Sequence, residues 1–557
     1  MRVSWLVSVL GALGAALPTP DVAQPLAEPL PAEAASPVPA TALPSFAVLE
    51  ALEARVGNVQ VRTKDVFDVE NPTEDWTVYR WANAVHIQTR ASVIENALLF
   101  KPGDRVSVAV IEETERLLSG TRYLYHVQIR PVAYHDGVVD IEVVTQDTWS
   151  LVPGVSVARS GGTNSSGIRL REYNFLGTGT TLGFTHTSDV DRSSDQLLLS
   201  NERIFGTRTA ANLSLARNSD GYRDAASVVR PFYSLDARWA AGAAAVKDSR
   251  IEAVYNAGNV VSQYRHRQEV AEAGAGWSRG RVDGWVQRYS VGVSLLDNTY
   301  ADEPGLVAPP ALNQDERFIG PFVRYELIED RYAKVTNRDM IGTPEFFNLG
   351  LAVKMQLGWA STSLGSSQDT LLYAASVDRG FEPSPNDTLL AGAAVAGRYA
   401  GGRIGKQLFG VQGKYYREQG KGWLFYAAAA GDLLTHPDVL DMLLLGGDNG
   451  LRGYPLRYQA GDKRVLVTLE ERVYSDLFIW NLFRVGAAAF VDVGRAWGGN
   501  NVNVGNPGWL SDAGVGLRIS SVRISTKDVL HIDLAFPFNG TPDIKKVQVL
   551  VKGRTSF

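Results

Sequence analysis

The sequence predicts a mainly β protein: a transmembrane antiparallel β-barrel preceded by a small α+β domain. Two observations lead to this prediction. Several segments near the C-terminus alternate regularly between apolar side chains and polar or small ones, as strands with a lipid-facing and a water-facing side do. The 557 residues also include 54 glycines, 21 tyrosines, 20 phenylalanines and 12 tryptophans, which is typical of many turns and of aromatic girdles at membrane interfaces.

The composition also excludes several classes of protein. The net charge of −5 gives no indication of nucleic-acid binding, and the absence of cysteine excludes disulfides, thiolate nucleophiles and zinc–thiolate sites. No run of 18 or more apolar residues occurs outside the extreme N-terminus, so membrane helices are not predicted. A closed barrel is then the structure able to cross a membrane, because every backbone amide in lipid must be paired within the protein.

Residues 1–23 are predicted to be a secretory signal peptide, in which Arg2 supplies the charge and Trp5–Leu17 the apolar core. Cleavage is predicted near Ala23 or as late as residue 34, because Ala32-Glu33-Ala34 also fits a small-x-small site. Residues 24–50 are rich in Pro and Ala and predict an extended linker.

Residues 51–147 are predicted to form a compact α+β domain in the order strand, helices, strand, strand. The signals are an opening strand, three helix starts and a two-residue hairpin turn: Gly57–Arg62, Asn71-Pro72, Thr89, Ser107 and Asp136-Gly137. A small sheet leaves edges that can bind an extended chain, and the candidate edge lies near Tyr123–Arg130. The alternative is a structural plug or spacer.

Residues 148–557 are predicted to form the barrel, because short alternating segments are separated there by clusters of turn-forming residues. The pattern by itself suggests roughly 18 to 20 strands. Two long irregular stretches, Thr299–Glu316 and Leu433–Asp462, are predicted to be extracellular loops.

Four segments show the alternation most clearly: Leu482–Gly494, Ala513–Ser521, Val529–Phe538 and Lys546–Phe557. Each has nine or more residues, close to the roughly 9–11 that a tilted membrane strand needs. In the last segment Val547 and Val549 share a face with the terminal Phe557, whereas Lys546 and Gln548 lie on the other face. An apolar face that ends in an interfacial aromatic is typical of a membrane-spanning strand.

A loop and two strands in the last fifth of the chain predict a polar site inside the barrel. The loop carries Leu451-Arg452-Gly453-Tyr454, and alternation turns five strand residues inward: Thr468, Glu470, Arg472, Phe490 and Asp492. We predict a bidentate pair of Arg452 with Asp492, or failing that a pair with Glu470. The alternative is an exposed arginine of little energetic value. Glu471 falls on the lipid-facing side of its strand. A charged side chain is expected there only if the position lies outside the hydrocarbon region of the membrane.

These motifs together resemble the bacterial surface-antigen superfamily, which contains BamA- and TamA-like assembly barrels and two-partner secretion transporters. The resemblance is carried by five features: Leu451–Tyr454, Phe490-x-Asp492-x-Gly494, Gly514-x-Gly516-Leu517-Arg518, the terminal Phe557 and the early segment Glu172–Gly179. The small domain resembles the polypeptide-transport-associated (POTRA) domain of that superfamily. Three departures are the single POTRA-like module, Leu451 where Val or Ile is usual, and the lack of a recognisable N-terminal plug helix.

The resemblance implies a barrel of sixteen strands in the outer membrane, with the N-terminal domain in the periplasm. It implies that Arg452 lies on a loop folded into the lumen and contacts the strands that carry Glu470 and Asp492. It also implies a weak seam between the first and last strands, which Gly553 would loosen. The implied partners are outer-membrane lipid, unfolded polypeptide clients at the POTRA-like sheet edge, and periplasmic or lipoprotein partners.

The predicted function is therefore non-enzymatic insertion or translocation of polypeptides, and a passive pore for small solutes is the alternative. A hydrolase is not favoured, because the seven histidines are scattered without metal-ligand spacing and no Gly-x-Ser-x-Gly elbow occurs. Glycine-rich stretches such as Gly177–Gly179 are predicted turns rather than phosphate loops, since no helical pattern follows them. No cofactor is predicted.

Overall fold

The computed structural model describes residues 43–72, 75–342, 344–480, 482–499, 508–521, 529–542 and 544–554, without the side chains of residues 125, 344 and 554. The predicted signal peptide, the linker up to residue 42 and Phe557 lie outside the described residues. Within these ranges, none of the helices combines the length and the apolar character that a membrane crossing requires.

The N-terminal unit has the predicted strand, helices and two strands, but a further helix precedes them. This helix covers Phe46–Ala51 and Leu49 on it is fully buried, so the prediction of an extended linker up to residue 50 is wrong for residues 46–50. Its elements are α1 (Phe46–Ala51), β1 (Arg55–Lys64), α2 (Thr77–Val85), α3 (Ala91–Glu95), α4 (Val108–Ser119), β2 (Leu124–His135) and β3 (Val138–Asp147). The strands form one sheet in the order β1-β3-β2, in which β1 runs parallel to β3 and β2 antiparallel to it. In the described chain β2 pairs with β3 alone, so its other edge is open.

The core of this unit lies between the sheet and the helices. Val139, Ile141 and Val143 on β3 are fully buried, together with Ile94 on α3 and Leu118 on α4. The β2–β3 turn uses positive φ angles at Asp136 (50°) and Gly137 (78°), as a tight hairpin of two residues requires.

Helix α2 begins later than the sequence predicts. The expected start was Asn71-Pro72, but the helix begins at Thr77 after the N-cap residue Trp76. The backbone N–H of Asn71 donates instead to Asp68 O at 3.0 Å, so this residue closes a turn and does not cap a helix. A local capping pattern cannot distinguish these two uses of the same residue.

The rest of the chain is almost entirely strand. The strands are β4 (Leu151–Ser160), β5 (Thr163–Phe175), β6 (Thr180–Ser188), β7 (Ser193–Asn201), β8 (Ala210–Asn218), β9 (Gly221–Arg230), β10 (Trp239–Asn256), β11 (Asn259–Val282), β12 (Trp285–Asp302), β13 (Glu316–Glu329), β14 (Tyr332–Thr336), β15 (Pro344–Asn348), β16 (Ala352–Ala360), β17 (Thr370–Ser384), β18 (Asp387–Ala400), β19 (Arg403–Gly420), β20 (Trp423–Thr435), β21 (Leu443–Leu445), β22 (Gln459–Gly461), β23 (Lys463–Ile479), β24 (Phe483–Trp497), β25 (Leu510–Ser521), β26 (Val529–Pro537) and β27 (Gln548–Arg554). Strands β14–β15 and β21–β22 form two small separate sheets.

The remaining strands close into one antiparallel barrel of 20 strands. The expectation of sixteen strands, which the family resemblance implied, is therefore wrong. The difference arises near the start of the barrel, where six strands, β4 to β9, lie between residues 151 and 230. Each has only 9 to 13 residues and most are joined by short turns, so this part of the chain holds more strands than an even spacing allows.

Side chains alternate between an apolar outer surface and a polar lumen, as the sequence pattern predicts. On β26, Leu530, Leu534 and Phe536 face outward and are exposed, whereas His531 and Asp533 face inward and are buried. A closed barrel with an apolar outside and a polar inside is the form in which strands cross a membrane, because no backbone edge is left unpaired in lipid. Glu471 lies opposite Phe425, near the start of β20, and is therefore close to the rim of the barrel.

The N-terminal unit lies across one mouth of the barrel, which we call the proximal end. The Tyr79 hydroxyl donates to the carbonyl of Trp480 in the β23–β24 turn at 3.0 Å. The Arg90 N–H donates to the carbonyl of Gly177 in the β5–β6 turn, also at 3.0 Å. These two turns belong to separate sectors of the rim, so the unit spans part of the opening.

A buried ion pair adds a third attachment. The Glu113 carboxylate on α4 accepts from Arg281 Nη2 at the end of β11 at 2.7 Å and from the Leu235 N–H in the β9–β10 turn at 2.6 Å. Burial in this contact raises the pKa of the Glu113 carboxyl above its ordinary value, although both partners act in the opposite direction. The Glu113 carboxylate and the Arg281 guanidinium are thus largely removed from water where the N-terminal unit joins the barrel.

Candidate functional site in the barrel lumen

The loop between β20 and β23, residues 436–462, folds back into the barrel, and we call it the lumen loop. Its strands β21 and β22 pair with each other, and Leu451 and Tyr454 near its tip are fully buried. The Tyr454 hydroxyl lies 2.9 Å from Ser511 O and 2.6 Å from Asn539 Oδ1, which fixes the tip to the barrel wall. Much of Leu433–Asp462, which was predicted to be an extracellular loop, therefore lies inside the barrel.

Two glycines of the predicted site make room for this loop. A Cβ atom on Gly453 would lie 2.7 Å from Asp512 Cβ, so only glycine allows the loop backbone to approach β25 this closely. A Cβ atom on Gly494 of β24 would lie 3.2 Å from Leu445 Cδ2 of the lumen loop. A larger side chain would collide with these neighbours, most severely at Gly453.

Arg452 makes the central contacts of the site. Its Nε and Nη2 donate to the two carboxylate oxygens of Asp492 at 2.7 and 2.8 Å, and its Nη1 donates to Glu470 Oε1 at 2.7 Å. The guanidinium also lies over the Phe490 ring, 3.3 Å from its centroid. Arg452, Glu470 and Asp492 are at most 1% exposed. Because these charges have little access to water, each depends on the others for its partner.

The charged network is larger than the predicted set. Arg452 Nη1 also lies 3.5 Å from Asp533 Oδ2, and Arg518 Nη1 donates to the other oxygen of Asp533. Arg472 Nε donates to Glu470 Oε2 at 2.7 Å. We call the six residues the lumen cluster: Arg452, Glu470, Arg472, Asp492, Arg518 and Asp533. Three guanidinium groups thus balance three carboxylates.

Asp533 and Arg518 were not among the predicted site residues. Alternation in β25 and β26 does place both side chains inward, since Leu517 and Leu534 face outward and are exposed. Alternation identifies lumen-facing positions but not which of them meet, because that depends on the register of neighbouring strands. The pairing of Gly516 with Asp533 and of Arg518 with His531 supplies that register.

A second insertion fills the lumen from the proximal end, and the sequence prediction did not include it. Strands β14 and β15 form a hairpin, residues 332–348, which we call the proximal hairpin. Its Met340 and Ile341 are buried against Tyr416 and Tyr426 of the barrel wall. Strand length is the signal that could have identified this hairpin. Its two strands have five residues each, whereas a membrane-spanning strand needs roughly 9–11.

The lumen loop and the proximal hairpin are linked through the lumen cluster. Arg472, which binds Glu470 on one side, donates from Nη1 to the carbonyl of Arg338 in the proximal hairpin at 2.8 Å. A continuous chain of charge-assisted hydrogen bonds therefore runs from Arg452 through Glu470 and Arg472 to Arg338. The two insertions are thus connected through β23 and occupy the lumen from opposite ends.

The first and last barrel strands form a seam with little pairing. In the described residues β27 pairs with β4 at a single position, Val551 opposite Arg159. Strand β4, in contrast, pairs with β5 along its whole length. Gly553, which was predicted to loosen this seam, pairs with Leu530 of β26 and has no partner on β4 among these residues.

The lumen loop contacts both strands of this seam. The Ser160 hydroxyl at the end of β4 donates to the carbonyl of Gly447. Lys552 Nζ on β27 donates to the carbonyl of Asp448 at 3.3 Å. Adjacent residues of the loop that carries Arg452 thus bridge the two strands, and they supply bonds that the seam itself lacks.

Comparison with known proteins found solved structures that resemble this chain, but no family or curated protein that matches its sequence. No protein-family model and no curated protein sequence matches the chain. BamA from Haemophilus ducreyi lacking POTRA domains 1–3 is 12% identical with a TM-score of 0.38, over 89% of this chain and 84% of that one. CdiB from Acinetobacter baumannii is 14% identical (TM-score 0.44; 90% and 73%). CdiB from Escherichia coli is 12% identical (TM-score 0.46; 90% and 76%).

Fold and site together define the chain as a transmembrane β-barrel whose lumen contains an inserted loop and an inserted hairpin. Its polar interior is organised by ion pairs. No group of three or more His, Cys, Asp or Glu side chains within the described ranges is arranged to hold a metal ion.

Proposed function

We propose that this chain is a bacterial outer-membrane barrel that inserts or translocates polypeptide clients without enzymatic catalysis. The observation that carries the proposal is the β4–β27 seam, which has one paired position among the residues that the structure describes and is bridged by the loop that holds Arg452. In this proposal the proximal end faces the periplasm, so the N-terminal unit lies where a newly exported client first arrives.

The chemistry of the seam suits a strand-shaped client. Separation of β4 from β27 would expose two rows of unpaired N–H and C=O groups, which is a template for pairing with another extended chain. Opening costs little backbone pairing, since an ordinary intramolecular hydrogen bond contributes about 0.5–1.5 kcal/mol and the seam has few such bonds up to residue 554, where the described part of β27 ends. The loop contacts of Ser160 and Lys552 must then break as well, which couples opening to movement of the lumen loop.

The N-terminal unit supports client capture. We propose that it is a POTRA-like domain and that the open edge of β2 binds an unfolded chain by adding a strand to the sheet. Gln128 and Arg130 on β2 are exposed, so a client could reach this edge. Periplasmic or lipoprotein partners would bind elsewhere on the same unit.

A passive pore for small solutes is the second candidate, and the lumen argues against it. Such a pore needs a continuous water-filled channel, whereas the lumen loop and the proximal hairpin occupy the interior from both ends. Loss of small-solute uptake alone in cells depleted of the chain would favour the pore. Loss of particular outer-membrane or secreted proteins would favour client handling.

A disulfide across the seam is expected to abolish client handling. The chain has no cysteine, and Arg159 and Val551 are directly opposed, so Arg159→Cys with Val551→Cys should form one bond. We expect cells that depend on this variant to lose client proteins under oxidising conditions and to recover them with reductant. The matched control is Leu170→Cys with Phe184→Cys on β5 and β6, which pair without interruption from Ser166 to Glu172, and it should stay active when oxidised. Full activity of the oxidised seam variant would refute opening at this position.

A photo-reactive amino acid at Gln128 is expected to crosslink to a client. The probe is a purified outer-membrane barrel protein, diluted from urea so that it is unfolded when added. A matched control places the same group at Glu112, an exposed position on α4 of the same unit. We expect capture at Gln128 well above that at Glu112, and equal capture at the two positions would contradict edge binding.

A further inference from the structure

Helix α2 of the N-terminal unit has an apolar stripe that nothing in the described chain covers. Val78, Trp81 and Val85 recur at helical spacing and are 58%, 64% and 49% exposed. The neighbouring flank of the helix faces the unit, where the Tyr79 ring stacks on Phe67 with ring centroids 4.2 Å apart. The orientation of the helix is therefore fixed, with its stripe turned away from the protein core.

This stripe continues the lipid-facing surface of the barrel. The Tyr79 hydroxyl on α2 bonds to the carbonyl of Trp480 at the proximal rim. Trp480 is itself 75% exposed, and Leu477 and Ile479 beside it at the end of β23 are exposed as well. The helix thus begins where the apolar outer surface of the barrel ends.

The helix also lies in the sector of the rim that contains the seam. Beyond α2 the chain is tied to the β5–β6 turn through the bond from the Arg90 N–H to the Gly177 carbonyl, and at the end of β5 Asn174 Nδ2 donates to Thr89 Oγ1 at 2.8 Å. Trp480 lies in the β23–β24 turn. The shorter way around the barrel from that turn to the β5–β6 turn passes the ends of β25, β26, β27 and β4. The segment from Tyr79 to Thr89 therefore crosses beneath the β4–β27 seam.

We propose that α2 is an interfacial helix that lies in the headgroup region of the membrane leaflet at the proximal end, beside the seam. The partner that covers its apolar stripe is a phospholipid surface. Tryptophan prefers this region because its ring is amphipathic, and a helix with one apolar stripe lies in the plane of the interface. On the opposite side of α2, Arg80 forms an exposed ion pair with Asp75, which precedes the helix, and this suits the aqueous side. The proposal requires only that the barrel is in a membrane, so it stands or falls separately from client handling.

An environment-sensitive probe on α2 tests this directly. Because the chain has no cysteine, Val85→Cys provides one attachment point for an NBD fluorophore on the full-length protein. The labelled protein is reconstituted into vesicles of phosphatidylethanolamine and phosphatidylglycerol with a doxyl-labelled lipid. We expect blue-shifted emission, loss of intensity to the doxyl lipid and protection from aqueous iodide. The matched control is Glu112→Cys on α4, where we expect iodide quenching and no effect of the doxyl lipid.

Two outcomes would overturn the proposal. One is iodide quenching at Val85→Cys equal to that at Glu112→Cys, which would place the stripe in water. The other is blue-shifted emission that the doxyl lipid does not quench and that reverts on dilution, which would show a second copy of the chain on the stripe. Adding Val78→Asp and Trp81→Asp to Val85→Cys should restore iodide access while leaving the heat-dependent gel mobility of the barrel unchanged.

Discussion

Replacement of Arg452 by methionine is expected to destabilise the barrel by about 3–5 kcal/mol, the cost of removing one partner from a buried charge network. Methionine keeps most of the length and apolar bulk of the side chain but removes its positive charge. Glu470, Asp492 and Asp533 would then share only Arg472 and Arg518. Asp492 loses the most, because both of its oxygens are bound by Arg452.

Two measurements check this expectation. One is the temperature at which the folded barrel loses its compact mobility in detergent gels, and the other is unfolding by denaturant in lipid vesicles. The matched control is Arg217→Met, which breaks the exposed pair of Arg217 with Asp224 on the same barrel. An exposed pair contributes about 0–1 kcal/mol, so the control should stay close to the parent protein. Equal stability of the two variants would show that the lumen cluster does not hold the fold.

Two further substitutions separate charge from geometry. Arg452→Lys keeps the charge but cannot form the bidentate pair while stacking on Phe490, so we expect an intermediate loss of stability. Adding Asp492→Asn to Arg452→Met removes the carboxylate that is left without its partner. The double variant should therefore lose less than the sum of the two single losses.

The sequence predicted the wall of the barrel more reliably than its contents. Alternation depends only on the geometry of one strand, so the outward position of Leu534 and the inward position of Asp492 follow from sequence. The hairpin at Asp136 and Gly137 was equally predictable, because a two-residue turn demands these backbone angles. Such local features need no knowledge of the rest of the fold.

Features that depend on distant parts of the chain were harder to predict. The number of strands is a different case, because the alternation pattern alone suggested roughly 18 to 20 and only the family resemblance implied sixteen, which the 20 strands of the barrel contradict. The closing of the lumen by Met340 and Ile341 depends on which wall residues face the hairpin across the barrel. Asp533 joins the site only because β26 lies within reach of the lumen loop. For the hairpin and for Asp533, the sequence does not show which residues meet across the barrel.

Excision of the proximal hairpin is expected to open the lumen to ions. Joining β13 to β16 by a two-residue Asn-Gly turn in place of Tyr332–Asn348 removes the buried Met340 and Ile341 and the contact of Arg338 with Arg472. Each buried apolar side chain contributes about 1.5–3 kcal/mol, so the hairpin is held firmly and the intact barrel should stay closed. We expect discrete conductance steps from the excised variant in planar bilayers and rare or no steps from the parent protein.

A point substitution tests whether the hairpin itself is the closure. Ile341→Asp places a charge in an apolar contact with Tyr416 and Tyr426, which should expel the hairpin tip and raise conductance while the barrel keeps its 20 strands. Lys334→Gln is the matched control, since Lys334 lies on the same hairpin but contacts Glu115 of the N-terminal unit at 3.5 Å. Its conductance should equal that of the parent protein. Closed channels in both the excised and the Ile341→Asp variants would mean that the lumen loop alone, held by Arg452, seals the barrel.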